Sequence, residues 1–277
     1  MASSTNSYNI NLDDRVDKEP IRSPSRGVRA LVYRGTMRPT GKKVAIKIFL
    51  SSPPTEQCKK SVLKGIEKWS KLHHINIVPV CGVVTKFDFK LSLISEWMDV
   101  GNAIDYVRKH AVDPHPLLKD VANGLRYLHG QSPPITHGDL RGKNVLISHD
   151  GRALLADYGV ASLVDAHLNG SAGSYDPSWI RWMAPETMKH SSEPNTELDI
   201  WAFGMTALEL FTRRPPFYNI PGIQDVISRI EAGPPDRPSE QVTHGYLTNV
   251  WWDICRSSWG HVPSQRPSMR EILTRLE

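Results

Sequence analysis

A chain of 277 residues, 39% hydrophobic and 23% charged, has the composition of an ordinary soluble globular protein and ample length for one large domain or two lobes. Its net charge of +5 comes from basic residues scattered among acids, which reads as a solvated surface and argues against a nucleic-acid partner. No run approaches the ~18 apolar residues of a membrane span, so no membrane association is expected.

Cys58, Cys81 and Cys255 are far apart and odd in number, with neither disulfide nor metal-ligand spacing, so reduced, buried thiols are expected. The opening Met1-Ala2-Ser3-Ser4-Thr5-Asn6 has no apolar signal region and no glycine after the methionine, which argues against secretion and myristoylation. A cytoplasmic or nuclear location follows by elimination.

Residues 1–21 are polar, carry mixed charge and lack periodicity, and read as a flexible N-terminal extension. Val28–Tyr33 and Lys43–Leu50 are rich in β-branched and apolar residues, and the turn signal Arg38-Pro39-Thr40-Gly41 between them predicts consecutive antiparallel strands. After Ser51-Ser52-Pro53-Pro54, the residues Val62, Ile66, Trp69 and Leu72 recur at helical spacing. Two short strands are expected around Ile77–Val84 and Lys90–Glu96, and Ser92–Met98 reads as an edge strand.

Beyond Gly101 the pattern turns helical. Leu117, Leu118, Val121, Leu125 and Leu128 make one apolar face ending near Gly130. Leu198–Leu210 is strongly apolar, and Pro215-Pro216 prevents its continuation. Further helices are expected near 222–232, 245–258 and 268–277. Strands first and helices later imply an α+β protein with a small sheet-rich part and a larger helical part.

The most informative stretch is Ile135-Thr136-His137-Gly138-Asp139-Leu140-Arg141-Gly142-Lys143-Asn144, followed by Asp157-Tyr158-Gly159. It orders a carboxylate, a cation, an amide and a second carboxylate as phosphoryl transfer from a metal-bound nucleotide requires. With Val44-Ala45-Ile46-Lys47 upstream and Ala184-Pro185-Glu186 downstream, the set resembles the protein kinase family over roughly residues 22 to 277. The pairing of His-Gly-Asp-Leu with Arg181-Trp182-Met183-Ala184-Pro185-Glu186 looks most like the tyrosine-kinase-like branch, in particular its expanded fungal group.

The resemblance implies a two-lobed kinase fold with an N-lobe over 22–95, a hinge over 96–101 and a C-lobe over 102–277. It implies transfer of the ATP γ-phosphoryl group to a protein hydroxyl, serine or threonine favoured, with Mg²⁺ or Mn²⁺. Asp139 would orient the substrate hydroxyl and Arg141 would offset charge on the transferred group. Asn144 and Asp157 would hold the metal, and Lys47 would bind the α- and β-phosphates. Val32 and Ala45 would press on the adenine from one side and Leu146 from the other, while backbone groups of Glu96 and Met98 would bond its edge and Ser95 would guard the back of the pocket. Asp199 would hold the Asp139 loop, Glu186 and Arg266 would form a buried ion pair, and Trp69, Tyr158 and His137 would pack.

Three positions depart from the family pattern. The glycine-rich loop, Ser25-Arg26-Gly27-Val28-Arg29-Ala30-Leu31-Val32, keeps only Gly27 to approach phosphates. The helix glutamate expected to pair with Lys47 falls at Gly65, and Glu67, the nearest acid, lies about 200° around the helix. Gly138 replaces the arginine that clamps a phosphorylated activation segment; Ser171, Ser174, Tyr175 and Ser178 are the candidate phosphosites there. Gly138 implies activity that does not depend on that phosphate clamp, whereas Gly65 and the eroded glycine loop favour the alternative, a pseudokinase scaffold with weak or no nucleotide binding; the intact Lys47, Asp139, Asn144 and Asp157 favour the enzyme.

Overall fold

The computed structural model describes residues 10–20, 25–26, 30–49, 56–87, 90–160, 177–189 and 195–277. They fall into two compact units, one drawn from Met1–His73 and Val78–Trp97, the other from His74–Ile77, Met98–Ser162 and Asp176–Glu277.

The first unit is built on an antiparallel sheet in which β1 (Val16–Lys18), β3 (Ala30–Met37), β4 (Lys42–Phe49), β6 (Ser92–Glu96) and β5 (Val80–Val84) are neighbours in that order. The short β2 (Ser25–Arg26) also pairs with β3. At the turn between β3 and β4, Gly41 adopts φ +70 and its N–H closes onto Met37 O at 2.8 Å. Along β4, Val44, Ile46 and Ile48 are buried while Ala45 and Lys47 are half-buried, the alternation of a strand with one face in a core. Leu12, Val16, Val84 and Ile94 complete that core, with Tyr33 and Met37 against it. The helix α1 (Glu56–Ser70) packs against β5 and buries Val62, Ile66 and Trp69, the residues whose spacing predicts it.

Two expectations are corrected here. Ser92–Glu96 is no edge strand: it lies inside the sheet, paired with β4 on one side and β5 on the other. Ser92, Leu93 and Ile94 are all buried, and the only charge in the strand is Glu96 at its end. The extension over 1–21 also contains ordered structure. Asn11 bridges Val83 in parallel, with Leu12 N–H donating to Val83 O and Val83 N–H to Ile10 O, both at 2.8 Å. A few residues later β1 pairs with β3, so residues 10–18 tie together the two ends of the strand order. Asp13 secures this strap: its carboxylate accepts from Thr85 N (2.6 Å), Thr85 Oγ1 (2.8 Å) and Lys86 N (3.1 Å). Its apolar residues Ile10, Leu12 and Val16 are buried but stand singly among charges, too few for periodicity to register.

The second unit comprises the hairpin β7 (Val145–Ile147) and β8 (Ala153–Leu155) and a set of helices: α2 (Ala103–His110), α3 (His115–His129), α4 (Pro185–Lys189), α5 (Thr196–Thr212), α6 (Ile223–Glu231), α7 (Glu240–Thr243), α8 (Asn249–Ser258) and α9 (Met269–Thr274). Helix α5 is its axis, buried throughout from Asp199 to Thr212, as an all-round apolar helix should be. Asn195 caps its start by accepting from Leu198 N at 3.0 Å. Arg213, at φ +56, ends it ahead of Pro215-Pro216. Gly204 admits Trp259, since a Cβ there would lie 2.6 Å from the indole Nε1. The expected helices after Gly101 are present; α2, α7 and the β7–β8 hairpin had no separate sequence signal.

Candidate active site

The loop that carries the central motif is held to α5 by backbone bonds. Asp199 accepts from His137 N at 2.7 Å and Gly138 N at 2.9 Å, and its Oδ2 lies 2.8 Å from His129 Nε2. His137 is fully buried, and burial pushes its imidazole below the usual range, outweighing the fields of Asp199, Asp139 and Asp157. The neutral ring accepts from Asp139 N through Nδ1 at 3.3 Å, which leaves its proton on Nε2, buried without a partner among the described residues. It is a packing residue, as the sequence reading has it.

Asp139 and Asn144 are in direct contact, and the chain at Asp157 runs beside them. Asn144 donates through Nδ2 to both the carbonyl (2.7 Å) and the Oδ2 (2.9 Å) of Asp139, which turns its amide oxygen away from that residue. Arg141 lies over the same carboxylate, with Nε 3.3 Å from Oδ1 and Nη2 3.4 Å from Oδ2. Asp157 is brought alongside by two backbone bonds that bracket it: Ala156 N–H to Asn144 O at 2.9 Å and Gly159 N–H to His137 O at 3.0 Å. Asp157 itself adopts φ +62, a left-handed conformation uncommon outside glycine and concentrated at functional positions. An amide oxygen and a carboxylate are hard oxygen donors, the kind that divalent cations such as Mg²⁺ take. Leu146, between the buried Val145 and Ile147, is half-buried and so faces the opposite side of the hairpin from its neighbours.

In the first unit, the strand register sets Val32 directly opposite Lys47, with Ala45 on the same face of β4. All three are half-buried. Ser95 pairs with Ala45 across β4 and β6. Glu96 donates its backbone N–H to Pro79 O at 3.2 Å and holds Lys42 Nζ at 2.9 Å through its carboxylate. In the second unit, Met98 O accepts from Gly101 N at 3.3 Å. Gly27, Ser171, Ser174 and Tyr175 lie outside the described residues. Glu67, the acid nearest to Gly65, forms an ion pair at 2.5 Å with Nζ of Lys71, the residue just past the end of its helix.

Arg266 and Glu186 form the expected pair, bidentate at 2.6 and 2.8 Å, with the guanidinium side chain 0% exposed. Arg266 also donates to Gly260 O and Glu197 O and lies over the Trp201 ring. Sequence reasoning overlooked two residues. Arg181 donates to the carbonyls of Pro216, Phe217 and Ile220, and Glu209 accepts from Gly142 N and Trp182 Nε1. A single acid in the apolar run Leu208-Glu209-Leu210 was the available signal for the second.

Residues 22–276 match the family model described as protein tyrosine and serine/threonine kinase. A probable serine/threonine-protein kinase of Dictyostelium discoideum is 32% identical over 90% of this chain and 48% of its own length. The tyrosine-protein kinase csk-1 of Caenorhabditis elegans is 34% identical over 74% of this chain and 37% of its own. The serine/threonine-protein kinase STY46 of Arabidopsis thaliana is 28% identical over 99% of this chain and 45% of its own. The chain thus spans about half or less of these relatives.

Proposed function

Because this chain belongs to the protein tyrosine and serine/threonine kinase family, we propose that it transfers the γ-phosphoryl group of ATP to a protein hydroxyl, serine or threonine in preference to tyrosine. The observation that carries this reading is the pair of hydrogen bonds from the Asn144 amide to Asp139, with the chain at Asp157 drawn beside them by the backbone bonds of Ala156 and Gly159. The preference for serine or threonine is supported by the names of relatives such as those from Dictyostelium and Arabidopsis.

Asp139 aligns the acceptor hydroxyl and takes its proton as the bond to phosphorus forms; alignment is the larger part of that task, since a carboxylate is a weak base. Asn144 keeps the Asp139 carboxylate in one rotamer, and Arg141 beside it supplies positive charge toward the transferred group. The Asn144 amide oxygen and the Asp157 carboxylate would hold Mg²⁺, or Mn²⁺ in its place, which would supply positive charge against the phosphates. Lys47 binds the α- and β-phosphates, and the face it shares with Val32 and Ala45 suits an adenine packed beside it. Leu146 contributes apolar surface, and backbone groups of Glu96 and Met98 would meet the adenine edge.

The test is a set of peptides carrying serine, threonine or tyrosine as the only hydroxyl, incubated with the protein, ATP and Mg²⁺. Phosphate on serine or threonine peptides supports the reading. Transfer to tyrosine alone overturns the acceptor assignment, and transfer to none returns the chain to a scaffold role.

A further inference from the structure

Lys143 is exposed in the turn Gly142–Asn144, next to the Asn144 that is fastened to Asp139. Helix α2 lies against this turn: a Cβ on Gly142 would sit 2.9 Å from Ile104 Cβ. One helical turn beyond Ile104, on the same side of α2, is Arg108, exposed and donating through Nε to Arg213 O at 2.9 Å. That bond brings α2 to the end of α5, where Arg214 follows. Arg214 is exposed, with its guanidinium 4.6 Å from the centre of the Tyr218 ring, which is itself 45% exposed. Cations that stand apart in the sequence are thus gathered on one surface beside the Asp139 loop, with Lys109 and Arg213 adjoining them. Within 103–110, 141–144 and 208–218 the acids are Asp105, 3.7 Å from Arg108 Nη1, and the buried Glu209. The surface keeps a clear positive excess in a chain whose net charge is only +5.

We propose that Arg108, Lys143 and Arg214 are specificity determinants: they select acceptor peptides that carry acidic residues near the hydroxyl to be phosphorylated. This rests on the phosphotransfer reading above and names the substrate class for the same site. A surface lined by one sign of charge focuses its field outward and raises the local concentration of the opposite charge. Its neighbour decides what that opposite charge belongs to. The hydroxyl that Asp139 aligns arrives on a peptide, and an extended chain advances ~3.3–3.6 Å per residue, so side chains a few positions from the acceptor come over this surface. The planar forks of Arg108 and Arg214 match a carboxylate, and the ammonium of Lys143 adds a point charge closest to Asn144. Nucleic acid or an anionic membrane would answer to the same charge, but neither uses the position beside Asp139.

The experiment measures kcat/KM of the full chain, with ATP and Mg²⁺, on serine peptides of one length flanked by aspartate, alanine or lysine. Exposed ion pairs contribute about twofold to fivefold each, so the unaltered protein should favour the aspartate peptide over the alanine peptide by about tenfold, and the lysine peptide should be poorest. The preference should lie in KM and shrink as added salt screens it. Lys143→Glu and Arg214→Glu should each lower the aspartate-to-alanine ratio by about twofold to tenfold, a ratio in which any general loss of activity cancels. Together they should turn the preference toward the lysine peptide, a gain that misfolding cannot imitate. Equal rates on the aspartate and alanine peptides in the unaltered protein overturn the proposal whether or not the variants fold, and so does a ratio that both reversals leave intact. Should no peptide take phosphate, the phosphotransfer reading fails, and fluorescence anisotropy of a labelled aspartate peptide decides the surface by itself. Binding that both reversals weaken upholds it. No binding, or tighter binding of a single-stranded oligonucleotide or of phosphatidylserine vesicles, overturns it.

Discussion

Asn144 and Asp139 are joined by two hydrogen bonds from one amide nitrogen, 2.7 Å to the carbonyl and 2.9 Å to the carboxylate. This directs the Asp139 carboxylate and at the same time turns the Asn144 oxygen outward. Asn144→Ala removes both effects at once. Phosphate transfer should fall by about 10²–10⁴-fold, the range for losing a positioned acid–base group. The folded state should persist, since the Asp199 bonds to His137 and Gly138 still hold the loop. Circular dichroism beside the transfer assay checks both halves.

Arg266→Ala should be among the most destabilising single changes in the second unit. It strands Glu186 and leaves the carbonyls of Gly260 and Glu197 without their donor. Breaking one side of a fully buried pair costs about 3–5 kcal/mol, and the 24% exposure of the Glu186 side chain puts this one toward the lower end. Arg266→Lys should recover only part, because an ammonium cannot reproduce the bidentate fork. Urea unfolding of both variants against the unaltered protein measures the difference.

The pH dependence of stability should carry the signature of Glu209. Its folded value lies near 7 against an ordinary 4.5. Between these values the folded state keeps a proton that the unfolded chain has released, so this group's contribution is full below 4.5 and is lost as pH rises to about 7. At about 1.4 kcal/mol per pH unit the loss is about 3 kcal/mol. Glu209→Gln should flatten this decline. The slope of unfolding free energy against pH, measured for both proteins, tests the sign.

The strap over residues 10–18 should be part of the folding unit. Leu12→Ala empties a buried position at the junction of β5 and the strap, at a cost of about 2–5 kcal/mol. Asp13 adds an acid-sensitive component. Burial alone would raise its pKa, but the bonds from Thr85 and Lys86 outweigh burial and hold it below 3.8. Its contribution is therefore present above that value and is lost as pH falls through the lower folded value. Thermal unfolding of Leu12→Ala and Asp13→Asn at neutral and acidic pH measures both.

Asp199 and the Glu186–Arg266 pair could be expected from the family resemblance although their partners lie 62 and 80 positions away; where no such pattern marked a residue, legibility depended on the distance to its partner. Asp139, Arg141 and Asn144 sit within one loop, where bonds such as Asn144 to Asp139 span 5 positions, so their order alone conveys the chemistry. Strand alternation and a recognisable turn gave β3 and β4, while the pairing of Val32 and Ala45 with Lys47 on one face was expected only from the resemblance. Asp13 and Glu209 were silent because their partners lie 72 and 67 positions away. Ser92–Glu96 was misplaced at an edge because pairing on two sides leaves no mark on a short apolar run. Glu67 could be seen to miss the expected helix position, but its pairing with Lys71 needed coordinates.

The central claim is that Asp139, beside Asn144 and Asp157, directs phosphate from ATP to a protein hydroxyl. Incubation with radiolabelled ATP, Mg²⁺ and a protein acceptor, in parallel with Asp139→Ala, tests it most directly. Label on the acceptor that drops by two or more orders of magnitude in Asp139→Ala is the predicted result. Equal label from both proteins, or none from either, would contradict it.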